Sequence, residues 1–531
     1  MTASEPVLVG GQWREPVNRL GRFQAEDPTR GAPIGPLFPI SGAADIESAV
    51  SAAVAVADEL AATPAARIAD FLDAYAAAIE ADADTLVALA HAETALPVEP
   101  RLRSVELPRA SGQLRQAARA ARQYGWTDPI IDTQTGLRAH RAPLGKPVLV
   151  FGPNNFPFAF NAIAGSDFAS AIAARNPVIA KAHPSHPATS QRLAQLAHQA
   201  LLDTGLPAAT VQMLYHFDNA LGLALAGDAR LGAIGFTGSR AGGLALKAAA
   251  DKTGVPIYAE LSSINPVFLL PGALAERGEA LAQEFFASCV MGSGQFCTNP
   301  GVVVVPAQHD GDAFIDAAVA HFAGATPKPL FSRGVQDSLR SAIAVLMTAG
   351  AELLAGGNAG EGEGYRHQPT LLCVDAQAFL ANADALQTEA FGPVSLLVRA
   401  ADACAMAQIA AVLEGNLTGT IYRAGNGRDD DAWSAIAPIL RHKVGRLIAD
   451  KMPTGVAVSP AMNHGGPYPS TGHPGFTSVG MPAAIHRFTA LHSYDNVPDA
   501  LLPIELRDRN VAGIQRRVDG HWTERDVGDG A

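Results

Sequence analysis

The periodicity of apolar and polar positions divides the chain into three regimes. Residues 6–40 read as short strands interrupted by turns such as Gly11-Gln12-Trp13 and Asp27-Pro28-Thr29. Between 45 and 94 apolar positions recur at helical spacing in Ala-rich runs, and a second helical stretch covers 101–124. From 138 onward strand and helix alternate. R-A-H-R-A-P-L-G-K-P-V-L-V-F predicts a strand, a turn at Pro143 and Gly145, and a buried strand. The loop F-G-P-N-N-F-P-F then leads into a helix ending near Ala174. Next come a buried strand within R-N-P-V-I-A-K-A-H-P, a helix over 188–204 and a strand over 210–214. A helix over 218–226, a strand over 231–236 and a helix through Ala250 complete a repetition that marks a parallel, doubly wound α/β sheet.

The alternation resumes after Asn265, with a strand over 266–270, a helix over 273–290 and the apolar strand G-V-V-V-V-P at 301–306. The Gly-rich acidic patch 355–365 reads as a surface loop, and P-T-G-V-A-V-S-P-A-M-N-H-G-G-P-Y-P-S as an extended one. The last twenty or so positions are polar and aperiodic, as expected of a tail or arm.

Composition narrows the class. A chain of 531 residues exceeds one ordinary core, so two or three domains are expected. A 48% hydrophobic, 17% charged composition is globular, and a net charge of −12 without long Lys/Arg runs argues against a nucleic-acid partner. None of the four cysteines (Cys289, Cys297, Cys373 and Cys404) lies in a C-x-x-C pair, which fits a reducing compartment and no metal centre. Neither a secretory signal nor an apolar run of membrane-spanning length is evident, so a cytoplasmic protein without a membrane partner is expected.

Three segments carry candidate chemistry. M-G-S-G-Q-F-C-T places Cys297 in a loop between helix and strand, Y-A-E-L-S-S-I-N-P carries Glu260, and F-G-P-N-N-F-P-F carries Asn155. A thiolate adds to a carbonyl, a carboxylate can serve as general base, and an amide can donate to an oxyanion. Each residue also has a structural reading: a small buried side chain for Cys297, a lysine-paired strand-end carboxylate for Glu260, an Asx turn for Asn155. Thr237-Gly238-Ser239 opens a helix whose first amides suit a pyrophosphate, yet Ser239 equally suits simple capping, and no G-x-G-x-x-G is present. The arginines Arg101, Arg103, Arg109, Arg115, Arg119 and Arg122 read as a solvated helix face or as a source of a cation for an acidic substrate.

Together these segments resemble the aldehyde dehydrogenase superfamily, over roughly residues 6–510. P-N-N-F-P-F is similar to the family's P-W-N-F-P, with Asn154 at the tryptophan and Asn155 at the oxyanion-binding asparagine. Glu260-Leu261-Ser262-Ser263 is similar to E-L-G-G, with Glu260 as the base that activates water and a pKa raised by apolar surroundings. Cys297 falls at the nucleophile. The resemblance implies an α/β fold: a variant Rossmann NAD(P)-binding domain (1–127 and 148–259), an α/β catalytic domain (260–481), a small β oligomerisation arm (128–147 and 482–497) and a C-terminal tail (498–531). A homodimer or homotetramer would follow.

It also implies cofactor residues. Lys181 would reach the adenine ribose, Thr237, Gly238 and Ser239 the pyrophosphate, Glu389 the nicotinamide ribose, and Phe391 the nicotinamide. The family's K-P-S-E is Lys181-Ala182-His183-Pro184 here. Losing the carboxylate that would repel a 2′-phosphate favours NADP, with Lys181 and His183 on the phosphate, and leaves NAD open. Within the superfamily, K-A-H-P-S-H-P-A-T-S, Q-F-C-T-N-P-G and H-G-G-P-Y-P-S-T resemble 2-oxoglutarate semialdehyde (2,5-dioxovalerate) dehydrogenases. The substrate would then be a small aldehyde bearing a carboxylate, held by Arg109 or Arg115, with Phe156 beside it. The alternatives are an NADP-linked medium- or long-chain aldehyde dehydrogenase, acyl transfer to CoA (disfavoured by Glu260), and an inactive binding protein on the same fold.

Overall fold

The computed structural model describes residues 4–528. Among these, the strands gather into two seven-stranded sheets, a five-stranded sheet and two two-stranded ribbons. The first large sheet runs Ile257–Glu260, Ala233–Thr237, Val148–Phe151, Val178–Lys181, Val211–Leu214, all parallel, with Val7–Val9 and Gln12–Arg14 antiparallel at one edge. Val148, Leu149, Val150, Val178, Ile179 and Ala180 are all buried, which explains why these strands read as continuous apolar runs. The chain winds outward through Val148–Phe151, Val178–Lys181 and Val211–Leu214, then returns to the other side with Ala233–Thr237. That reversal opens a crevice at the carboxyl ends of the strands, where ligands of such sheets bind.

The second sheet runs Glu352–Ala355, Thr370–Asp375, Val394–Ala400, Val302–Pro306, Val267–Leu269, Asn416–Tyr422, Val444–Ala449, parallel except for its first strand. The chain leaves the first sheet at the carboxyl end of Ile257–Glu260 and enters the second at the amino end of Val267–Leu269. The carboxyl edge of one sheet therefore faces the amino edge of the other. The cysteine loop enters Val302–Pro306, and the Glu389 segment enters Val394–Ala400, from that same side.

The stretch expected as one helix over 101–124 is an irregular turn, Val98–Glu106, running into the helix Leu107–Arg122. Of the two readings of the terminal stretch, tail or arm, the pairing favours an arm. Arg516–Val518 and His521–Thr523 extend a sheet ordered Thr489–Asp495, Leu137–Pro143, Ile130–Ile131, Arg516–Val518, His521–Thr523. Polar anchors fix it: His140 Nδ1 lies 2.9 Å from Glu505, and the fully buried Arg516 donates to the carbonyls of Asp508 at 2.7 Å and Arg525 at 3.1 Å. Strands of three residues held by carbonyl contacts leave no apolar alternation to detect. Among the described residues, no single helix is long and apolar enough to cross a membrane.

A buried ion pair joins the turn Ala483–Phe488, which leads into this sheet, to the helix Ser166–Ala173. Arg487 Nη1 donates to Asp167 at 2.8 Å, with side-chain exposures of 2% and 10%. Arg487→Met strands the Asp167 carboxylate, and urea denaturation should show a loss of roughly 3–5 kcal/mol, smaller when Asp167→Asn is added. Equal losses in the single and double variants would contradict the pairing.

Candidate active site

The facing edges bring the three chemical segments together. The loop after Val148–Phe151 supplies Asn155, the end of Ile257–Glu260 supplies Glu260, and the loop before Val302–Pro306 supplies Cys297. That last loop departs from helix geometry because Gly292, Ser293 and Gly294 all sit at positive φ (55°, 58° and 68°). Gly294 has no alternative: a Cβ there would lie 2.1 Å from the Gly392 carbonyl oxygen. The loop is also pinned from the second sheet. Asn265 Nδ2 donates to the carbonyls of Cys297 at 2.8 Å and Asn299 at 2.9 Å. Asn416 Oδ1 in turn accepts from the amides of Ile264 at 2.9 Å and Asn265 at 3.2 Å.

Asn155 Nδ2 donates to the Gln295 carbonyl at 3.0 Å, two residues before the cysteine. Its loop is gripped from behind by Glu106, fully buried, which accepts from the amides of Phe158 at 2.8 Å and Ala159 at 3.1 Å. Glu106 is paired to Arg101, whose Nη2 donates to the Asn155 carbonyl at 2.9 Å. A buried carboxylate thus anchors the loop, and a guanidinium neutralises it.

The signal for one residue of the centre, His464, lay in H-G-G-P-Y-P-S, a loop whose sequence carries part of the resemblance but gave the histidine no role. Its Nε2 meets Cys297 Sγ at 3.5 Å in hydrogen-bonding geometry and lies 2.9 Å from Glu260 Oε1, off the hydrogen-bonding direction. Ser478 Oγ donates to the other Glu260 oxygen at 3.2 Å. Sulfur, imidazole nitrogen and carboxylate oxygen all lie within 4.8 Å of one another. An imidazole so placed can take up the thiol proton. Glu260 therefore pairs with a histidine, not a lysine, and the expected upward pKa shift is corrected. Burial pushes its carboxyl upward, but the His464 imidazole, the Ser478 hydroxyl and the Cys297 thiol hold it below the usual carboxylate range. Burial and the Glu260 charge push the Cys297 thiol well above its ordinary value, with Arg109 opposing them.

These groups open onto a cavity of about 490 Å³. Asn155, Phe156, Glu260 and Cys297 line it, together with His183, Thr237, Gly238, Ser239, Glu389 and Phe391 on the cofactor side. Ser239 caps the helix Arg240–Ala250, accepting from the Gly242 amide at 3.3 Å, and the helix amino end lies at the cavity wall. Burial pushes the Glu389 carboxyl up to about 7. Lys181 ends its strand with no hydrogen-bond or ion-pair partner among the described residues, and burial draws its pKa down to about 8. An unpaired ammonium on one strand end and a helix amino end at the cavity wall are groups that suit the hydroxyls and phosphates of a dinucleotide.

The predicted arginines separate. Arg115 is on the outer face, 2.5 Å from Glu80, away from the cavity, and Arg122 pairs with Asp70 at 2.8 Å. Arg109 turns inward, its Cζ 5.4 Å from the Phe156 ring centroid and 4.8 Å from that of Phe160.

The comparisons agree with this geometry. The aldehyde dehydrogenase family model matches residues 13–491, and the chain belongs to that family. It is 41% identical to alpha-ketoglutaric semialdehyde dehydrogenase 2 of Azospirillum brasilense, over 98% of this chain and 99% of the relative. It is 36% identical to alpha-ketoglutaric semialdehyde dehydrogenase of Acinetobacter baylyi, over 93% and 94%. In fold it is similar to an aldehyde dehydrogenase C variant of Pseudomonas syringae crystallised with NAD+ and octanal, with a TM-score of 0.79 at 20% identity over 93% of this chain and 98% of that one. The protein is thus an NAD(P)-dependent oxidoreductase acting on aldehydes.

Glu106→Gln removes the charge that organises the Asn155 loop. If Asn155 donates to an oxyanion, steady-state kinetics should show kcat reduced at least about tenfold with cofactor KM little changed, since such a donor acts only in the transition state. An unaltered kcat would show that the loop holds without it.

Proposed function

We propose that the protein oxidises 2-oxoglutarate semialdehyde to 2-oxoglutarate, with NADP as the preferred cofactor. The carrying observation is the triad of Cys297, Glu260 and Asn155 at the cavity, on a chain 41% identical to a relative named for that semialdehyde. The Cys297 sulfur adds to the aldehyde carbon, and the Asn155 amide donates to the oxyanion that forms. When bound, the cofactor supplies an acceptor for the hydride. The thioester left on Cys297 is hydrolysed by water that Glu260 deprotonates. Its lowered pKa keeps Glu260 ionised at neutral pH, which supports a base that acts without a prior proton loss.

Lys181 and His183 would hold the 2′-phosphate, Thr237, Gly238 and Ser239 the pyrophosphate, Glu389 the nicotinamide ribose and Phe391 the ring. The surroundings of Lys181 support NADP. His183, His186 and His216 cluster around it, and Pro184 stands where a carboxylate would repel phosphate. Burial first, then the neighbouring cations, lowers the pKa of His183, so Lys181 is the main cation there at neutral pH. The two large sheets support division into a cofactor domain (1–127 and 148–259) and a catalytic domain (260–481), with 128–147 and 482–497 as an arm. The edge strand Thr489–Asp495, with Leu491 77% exposed, supports pairing with a second copy in a cytoplasmic homo-oligomer.

Initial rates should give a higher kcat/KM for 2-oxoglutarate semialdehyde than for medium or long aliphatic aldehydes, without CoA; a preference for the aliphatic series would overturn the substrate. Lys181 is charged below about 8 and loses its proton above it. KM for NADP should therefore rise as pH climbs through that value while KM for NAD stays flat. Parallel profiles for the two cofactors would remove Lys181 from the phosphate.

A further inference from the structure

The three groups gathered at the reactive sulfur have the composition and spacing of a metal site. Cys297 Sγ, His464 Nε2 and a Glu260 oxygen all lie within 4.8 Å of one another, and the side chains of His464 and Glu260 are 2% and 1% exposed. Glu260 Oε1 is buried without a hydrogen-bond partner, although the His464 nitrogen is 2.9 Å away. The other Glu260 oxygen is taken. Ser478 Oγ donates to it at 3.2 Å, and the Ser478 amide donates to the His464 carbonyl at 2.8 Å. One serine therefore orients two of the three groups and leaves one carboxylate oxygen free beside the imidazole. A carboxylate steadied through one oxygen and open at the other is how metal-ligating acids are held.

The spacing selects the ion. A tetrahedral zinc, with Zn–S about 2.3 Å and Zn–N about 2.0 Å, sets sulfur and nitrogen about 3.5 Å apart. Cys297 Sγ and His464 Nε2 are 3.5 Å apart. The same geometry needs about 3.3 Å between nitrogen and carboxylate oxygen, so the 2.9 Å contact has only about 0.4 Å to open. One thiolate, one imidazole and one carboxylate suit zinc or cobalt, whereas magnesium and calcium call for oxygen ligands. Cys297 and Glu260 line the cavity, which leaves the fourth position to water, as in zinc sites with three protein ligands. The charges also balance, since thiolate and carboxylate cancel a dication placed between them. The charges of Arg109 and Arg446 reach the sulfur and oppose a dication, but neither guanidinium donates a hydrogen bond to it among the described residues.

We propose that Cys297, His464 and Glu260 bind one zinc ion, and that the bound ion switches aldehyde oxidation off reversibly. Binding forms a Zn–S bond as the thiol proton passes to solvent, with no change of oxidation state. The metal then holds the sulfur lone pair and the carboxylate oxygen, so neither is free to meet aldehyde or water. The inhibition rests on the reading of Cys297 as nucleophile and Glu260 as base, whereas the site itself rests on the three ligand atoms alone. No spacing motif announces it, because the histidine lies 167 positions from the cysteine.

The test is metal binding, read first without turnover. Cobalt(II) chloride is titrated into the full chain in the absence of cofactor, followed by zinc chloride. Cobalt should give a thiolate-to-metal charge-transfer band that saturates at one ion per chain and is displaced by zinc. The band should be lost in Cys297→Ser, and zinc affinity should fall at least about a hundredfold in His464→Ala. A band that persists in C297S, or a zinc affinity within about threefold of wild type in H464A, would overturn the site. Should a variant not fold, alkylation of the wild type decides. One equivalent of zinc should slow iodoacetamide labelling of the Cys297 peptide at least about tenfold and leave that of the exposed Cys404 unchanged. Equal slowing at both cysteines, or none at Cys297, would sink the proposal. In the activity assay zinc should abolish oxidation of 2-oxoglutarate semialdehyde, EDTA should restore it, and magnesium at equal concentration should leave it unchanged. Zinc bound at Cys297 with oxidation undiminished would refute the inhibition, and the nucleophile with it, while the site stands.

Discussion

The hydrogen bonds from Asn265 to the carbonyls of Cys297 and Asn299 are the constraint on which the site depends. Asn265 sits at the amino end of the strand Val267–Leu269, with φ 45°, where a side-chain amide replaces the regular ladder. It ties the Cys297 loop to the second sheet, while Glu260, five residues earlier, still belongs to the first. One short crossover thus fixes the separation between Cys297 and Glu260. Asn416 locks the crossover, and Gly294 lets the cysteine loop pass against Gly392.

Electrostatics inside this frame divides the labour. Glu260 and His464 form a buried pair at 2.9 Å beside the Cys297 sulfur. Glu106 and Arg101 form a second pair that serves only geometry, holding the Asn155 loop. Arg109 and Lys181 differ from both: among the described residues neither has a carboxylate within ion-pair distance, and Arg109 lies instead over the rings of Phe156 and Phe160.

Much of this was legible in the sequence, for identifiable reasons. The parallel strands announce themselves as apolar runs because both faces are buried, and Cys297, Glu260 and Asn155 fall in motifs with special backbone demands. What escaped was whatever depends on contacts distant in the chain. His464 lies 167 residues from Cys297 in sequence, in a loop without periodicity. Glu260 was expected to titrate high because its neighbours read as apolar, and His464 reverses that. Arg109 and Arg115 were indistinguishable in sequence. They are six positions apart on one helix, and only the packing shows that one faces Phe156 and the other Glu80. The terminal strands were missed because carbonyl contacts to Arg516, not apolar alternation, hold them.

The central claim is that Cys297 carries the substrate as a thioester that Glu260-activated water releases. Mass spectrometry of Glu260→Gln after brief exposure to 2-oxoglutarate semialdehyde and NADP tests it most directly. The account predicts an acyl adduct on the Cys297 peptide that accumulates in the variant and is absent, or short-lived, in the wild type. No adduct in either protein, or an adduct on Cys289, Cys373 or Cys404 instead, would contradict it.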